Sequence, residues 1–173
     1  MEKTPSLVGS SRGKAQSDAL AQAQLRGVSL RVTQARLDVL SVLLRIPRAM
    51  SHLEMQENLP DMDRVTLYRA LDCLAQAGLA HKITGDDRVF RFSVGNEPEA
   101  ADDSVRASRR GVRHQHGHFQ CTRCAQVFCL DQPESKPALK DQLKATLAAT
   151  SLRGFQNHDI EVTIKGWCHH CAN

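Results

Sequence analysis

A chain of 173 residues, 41% apolar and 24% charged, has material for one domain or two small ones with thin cores. Its net charge of +4 is spread along the chain with no strongly basic segment, so bulk charge permits nucleic-acid binding without arguing for it. No run approaches the ~18 apolar residues of a membrane span, and the first residues lack the apolar stretch of a secretory signal, so a cytoplasmic protein with no membrane partner is expected.

Residues 1–16 are poor in apolar side chains and read as a flexible N-terminus. Three helical patterns follow. "TQARLDVLSVLL" sets Leu37, Leu40, Leu43 and Leu44 at helical spacing behind a cap at Thr33. "SHLEMQENL" opens with Ser51 and Glu54, whose spacing lets a hydroxyl and a carboxylate satisfy each other's backbone amides. "DRVTLYRALDCLAQAG" places Leu67, Ala70, Leu71 and Leu74 on one stripe, with Gly78 set to end the helix in a left-handed conformation. "AHKITGDDRVFRFS" then carries two β-prone runs around a Gly-Asp-Asp turn. Helices followed by a hairpin outline a winged helix over 17–94.

Residues 95–113 balance their charges and hold almost no bulky apolar residue, so they read as a solvated linker. Beyond it, 114–173 is α/β in character. It holds strand-like "GHFQC" and "QVFCL", a lysine-rich helical stretch around "ALKDQLKATLAAT", and "HDIEVTIKG", whose Ile160, Val162 and Ile164 alternate with polar residues. The fold class expected is α+β, a winged-helix domain followed by a small α/β domain.

Five of the six cysteines lie in this second half, and in a reducing compartment they argue for metal rather than for disulfides. Cys121 and Cys124 form one C-x-x-C unit, Cys168 and Cys171 another. Four thiolates at that spacing close a tetrahedral shell around Zn²⁺ with no open position, which makes a structural site. The histidines of "HQHGHFQCTRC" are different. On a strand, His116 and His118 share one face and Phe119 and Cys121 the other, so the motif can serve two metals. Cys129, on the neighbouring strand, could present a thiolate beside the imidazoles, and His81 at the start of the wing could join them and bridge the two halves. Cys129 as a packed core thiol and His81 as a solvated strand residue stay open as alternatives. On the third helix Tyr68, Arg69, Asp72 and Gln76 lie off the apolar stripe, a face that suits the major groove or merely faces solvent.

"RVTQAR", "VTLYRALDCLAQAGLAHK", "HQHGHFQCTRC" and "GWCHHC" occur in that order between Leu25 and Cys171. Together they resemble the ferric uptake regulator (Fur) family of metal-dependent repressors, most closely its zinc uptake regulator (Zur-like) members. The resemblance implies a homodimer with a winged helix that binds palindromic operator DNA, a C-terminal α/β dimerisation domain, one structural Zn²⁺ per chain and a second, sensed metal. It assigns DNA contacts to Arg31, Thr33, Arg36, Thr66, Tyr68 and Arg69. His116 and His118 fall on the family's two sensor histidines, His81 on the hinge ligand of the zinc-sensing members, and Cys129 where a glutamate ligand is usual. A thiolate in place of an oxygen softens the site toward Zn²⁺ over Fe²⁺ or Mn²⁺. The family's additional site is not expected, since Gln115, Gly117 and Lys136 stand where its ligands would be, and Ala125 replaces the glycine usual after the first knuckle. The expected function is a zinc-responsive repressor of zinc uptake genes with no small-molecule substrate. Iron, manganese or peroxide sensing on the same fold is the alternative, and a zinc-ribbon interaction module or a zinc enzyme a remote one. No H-E-x-x-H occurs in the chain.

Overall fold

The computed structural model describes residues 11–94, 117–130, 148 and 162–172. The helices are α1 (Ser11–Gly27), α2 (Gln34–Arg45), α3 (His52–Asn58), α4 (Arg64–Gln76) and a last turn, α5 (His169–Ala172). The strands are β1 (Met50–Ser51), β2 (His81–Thr84), β3 (Phe90–Ser93), β4 (Gly117–Cys121), β5 (Val127–Leu130) and β6 (Val162–Gly166). They form two three-stranded sheets, ordered β1-β3-β2 and β5-β4-β6. The first is the wing of the winged helix, and the second carries the cysteine knuckles.

The helix signals act as their chemistry requires. Thr33 caps α2 by accepting from the Arg36 backbone N–H, and Ser51 and Glu54 close a reciprocal capping box on α3. Asp63 caps α4 through the Thr66 N–H at 3.0 Å. Gly78, at φ 74°, ends the turn after α4 in the left-handed region. The buried residues of α4 are Leu67, Ala70, Leu71 and Leu74, the stripe read from the sequence. Full burial of each leucine contributes about 1.5–3 kcal/mol, so this stripe locks α4 to the core and leaves its other face free.

The structure corrects the expected N-terminus. α1 begins at Ser11 and runs through positions expected to be flexible. Ala21 and Leu25, four residues apart, are fully buried, and the helix packs on α2. That second cover explains why Val39 and Val42 are buried as well as Leu40 and Leu43. In the wing turn the left-handed residue is Arg88, at φ 58°. A Cβ at Gly85 would sit 2.7 Å from Arg91 Nη1 and from Asp87 Oδ1, so a side chain there would push on the ends of the Asp87–Arg91 pair.

In the second sheet β4 pairs antiparallel with β5, setting His118 opposite Cys129, and parallel with β6, setting Cys121 opposite Gly166. The two sheets touch where the Ala49 N–H donates to the Val127 carbonyl at 2.8 Å. A surface ion pair, Lys165 to Asp86 at 2.6 Å, joins β6 to the wing turn. The linker 95–113, His116, the lysine-rich stretch, Gln115, Lys136 and Ile160 lie outside the described residues.

Candidate metal centres and nucleic-acid interface

β4 and β6 run side by side and each ends in a C-x-x-C unit, so the parallel register delivers both pairs of thiols to one end of the sheet. The Sγ atoms of Cys121, Cys124, Cys168 and Cys171 all lie within 4.8 Å of one another. Cys124 and Cys168 sulfurs are 3.7 Å apart, far too long for a disulfide. A tetrahedral shell with Zn–S near 2.3 Å places its sulfurs roughly 3.8 Å apart, so the donor set fits that ion. Electrostatics agree. Backbone N–H groups, first that of Cys168, hold the Cys121 thiol down to about 6. Burial and the surrounding thiols push Cys171 up to about 12, and burial raises Cys124. Without a cation Cys121 ionises readily while Cys124 and Cys171 resist it, and a divalent ion removes that resistance.

A second cluster lies between the two sheets. One ligand atom from each of His81, His118 and Cys129 falls within a 4.8 Å group. His81 Nε2 is 3.0 Å from Cys129 Sγ, and the His81 and His118 ring centroids are 5.7 Å apart. Cross-strand pairing sets His118 beside Cys129, and the bridge at Ala49 and Val127 brings β2 of the wing up to them. Burial pushes the His118 imidazole pKa down, which favours the neutral, ligating form. Cys129 is half-buried and packs against Ala49, Ile83 and Val127, as the alternative of a packed thiol expects, and its sulfur also faces His81, which is itself half-buried.

On the reader, Tyr68, Arg69, Asp72 and Gln76 are exposed, as the helical stripe implies. Arg31 is exposed ahead of α2, and its carbonyl accepts from Arg36 Nη1 at 2.8 Å. Thr33 and Thr66 are half-buried and take part in helix caps. Two features escaped the sequence. His52 stacks on Tyr68, and Lys82 lies 3.7 Å over the Phe90 ring on the wing. Only tertiary packing reveals either. One H-x-E spacing, the signature of deaminase zinc sites, does occur at His52–Glu54. Its Glu54, however, closes the capping box and pairs with Arg48 at 2.6 Å, so it is occupied structurally.

A winged reader with an exposed tyrosine and arginine on α4, joined to a sheet that gathers four thiols and shares a second ligand cluster with the wing, is the build of a metal-responsive transcription regulator and not of an enzyme. Residues 27–164 match the ferric uptake regulator family, and the chain belongs to that family. The ferric uptake regulation protein of Bacillus subtilis is 25% identical over 153 residues, covering 86% of this chain and 89% of the relative. A zinc uptake regulator in complex with zinc and DNA shares the fold at a TM-score of 0.62 and 20% identity, over 92% of this chain and 95% of that one. The ferric uptake regulator of Vibrio cholerae does so at 0.54 and 22%, over 86% and 99%. Among the described residues no helix is long and apolar enough to cross a membrane.

Proposed function

We propose that the chain is a cytoplasmic, zinc-responsive repressor of zinc uptake genes that acts as a homodimer on palindromic operator DNA. The observation that carries this reading is the His81–His118–Cys129 cluster, because its ligands come from both sheets. In this reading the reader runs from α1 at Ser11 to residue 94, with 95–113 the linker and 114–173 the dimerising and sensing half. Cys121, Cys124, Cys168 and Cys171 hold structural zinc. His81, His118 and Cys129, with His116 as fourth ligand, hold the sensed ion.

His81 sits on the wing and His118 and Cys129 on the second sheet, so these three can share one ion only when reader and sheet keep this arrangement. That arrangement fixes the angle between the two readers of a dimer, and α4 of each then meets successive half-sites on one face of the duplex. Arg31, Thr33, Arg36, Thr66, Tyr68 and Arg69 provide the contacts. Moving a population from almost wholly open to almost wholly closed needs about 5.5 kcal/mol of preference, within the range of a bridging metal. The thiolate of Cys129 supports zinc over iron or manganese, since soft ligands favour it. The zinc and DNA complex of the structural relative supports the same choice.

The test is titration of operator binding with Zn²⁺, Fe²⁺ and Mn²⁺ at buffered free concentrations. Zinc is expected to act at the lowest level, and Cys129→Ser to shift its midpoint upward by at least about tenfold while leaving a folded dimer. A response to Fe²⁺ below that to Zn²⁺ would make the chain an iron sensor. An unshifted Cys129→Ser curve would remove Cys129 from the site.

A further inference from the structure

His52 opens α3, on the side of the reader that faces α4. Its ring stacks on Tyr68 with centroids 3.9 Å and planes 27° apart. Its edge meets the Phe92 ring at 4.9 Å and 78°. Phe92 is fully buried on β3, whereas Tyr68 is 46% exposed. Three rings from three elements therefore run from the core to the free face of α4.

We propose that His52 is a positioning residue for sequence readout, holding the Tyr68 ring from behind in the orientation that meets a thymine methyl group in the major groove. The proposal rests on the DNA-binding reading above. An exposed aromatic side chain on a helix divides its time among rotamers, and ordering it on binding costs affinity. Here one face of the ring is already covered by an imidazole that is itself braced on the core. Burial, and then the charge of Lys82, push the His52 pKa down, so the stacked ring is neutral near pH 7 and adds no charge to the interface. The geometry also makes the contact directional. The His52 ring covers one face of the phenol, and the remaining surface of Tyr68 is what the duplex can meet.

The experiment selects duplexes from a randomised double-stranded DNA library with the zinc-loaded full chain. Affinity is then measured on the best duplex and on copies in which single thymines are replaced by uracil. Wild type, His52→Ala, His52→Phe, Tyr68→Ala and the His52→Ala Tyr68→Ala double variant are compared. His52→Ala is expected to weaken binding roughly 3- to 10-fold and to flatten the thymine-to-uracil discrimination. His52→Phe, which keeps a ring between Tyr68 and Phe92, is expected to restore both to within about twofold, and His52→Ala is expected to add nothing in the Tyr68→Ala background. An equal loss in both backgrounds, or unchanged affinity and discrimination in His52→Ala, would overturn the proposal. Melting temperature and zinc content report on folding, and His52→Leu, which fills the space without a ring, takes the place of alanine if that variant unfolds. Failure of the wild type to select any duplex would remove the DNA reading as well, whereas selection by wild type with an unaltered His52→Ala removes His52 alone.

Discussion

Ala125 has a φ of 57°, in the left-handed region, directly after Cys124. A Cβ in that conformation costs roughly 1–2 kcal/mol, so the position suits glycine. Ala125→Gly is expected to stabilise the chain by up to about 1 kcal/mol, read as a raised melting temperature at constant zinc content. A lowered melting temperature would show that the methyl group makes a packing contact worth more than the strain. Which residues could ligate was legible in the sequence, because C-x-x-C spacing is a local signal and Cys121, Cys124, Cys168 and Cys171 do converge. That Cys129 and His81 meet was not legible from spacing, since they are 48 positions apart and their 3.0 Å contact depends on how two sheets abut. The placing of Cys129 on the neighbouring strand and the resemblance to a family both pointed there, and neither is a spacing signal. His52 follows the Ser51 cap, and its ring stack on Tyr68 has no sequence signature.

Caps and stripes were legible because each is written within one turn: Thr33 before α2, Ser51 with Glu54 at α3, and Gly78 after α4. α1 was missed because its core contacts reduce to Ala21 and Leu25 in a polar helix, too weak a period to stand out. Its docking is nevertheless testable. Leu25→Ala should cost about 2–5 kcal/mol by urea denaturation, and a loss under about 0.5 kcal/mol would mean that α1 is not part of the cooperative core. β1, two residues long, is too short to show any alternation. In the wing, Asp87 and Arg91 pair at 2.6 Å, and hydrogen bonds from Arg91 hold the Asp87 carboxyl at about 2 instead of 3.8. Because the folded value is depressed, the pair's contribution is complete above the ordinary value of 3.8 and disappears as pH falls through about 2. Water screens the pair, so Asp87→Asn should cost only about 0.5–1 kcal/mol near neutral pH. The gap between variant and parent in urea midpoint should narrow steadily below the ordinary carboxylate value, and a gap that stayed constant there would rule out the ion pair as its source.

At the scale of the molecule the two sheets meet at a backbone hydrogen bond from Ala49 to Val127, at a small apolar cluster of Ala49, Ile83 and Val127, at the contact of His81 with Cys129, and at a surface ion pair from Asp86 to Lys165. The apolar cluster at this seam is small and exposed ion pairs contribute little, so the His81, His118 and Cys129 side chains make up much of the seam. In the proposed reading a metal cluster at this seam sets the angle of the reader, whereas the four-thiol cluster lies within one sheet and would serve folding. The separation of those two tasks is the central claim, and metal counting on the full chain tests it most directly. Zinc measured before and after mild chelation should fall from two ions per chain to one, matching the two clusters, with operator binding lost and the fold retained. His81→Ala should purify already holding one. A single ion in the untreated protein, or absorption spectra showing imidazole and four-cysteine sulfur around the same ion, would contradict the account.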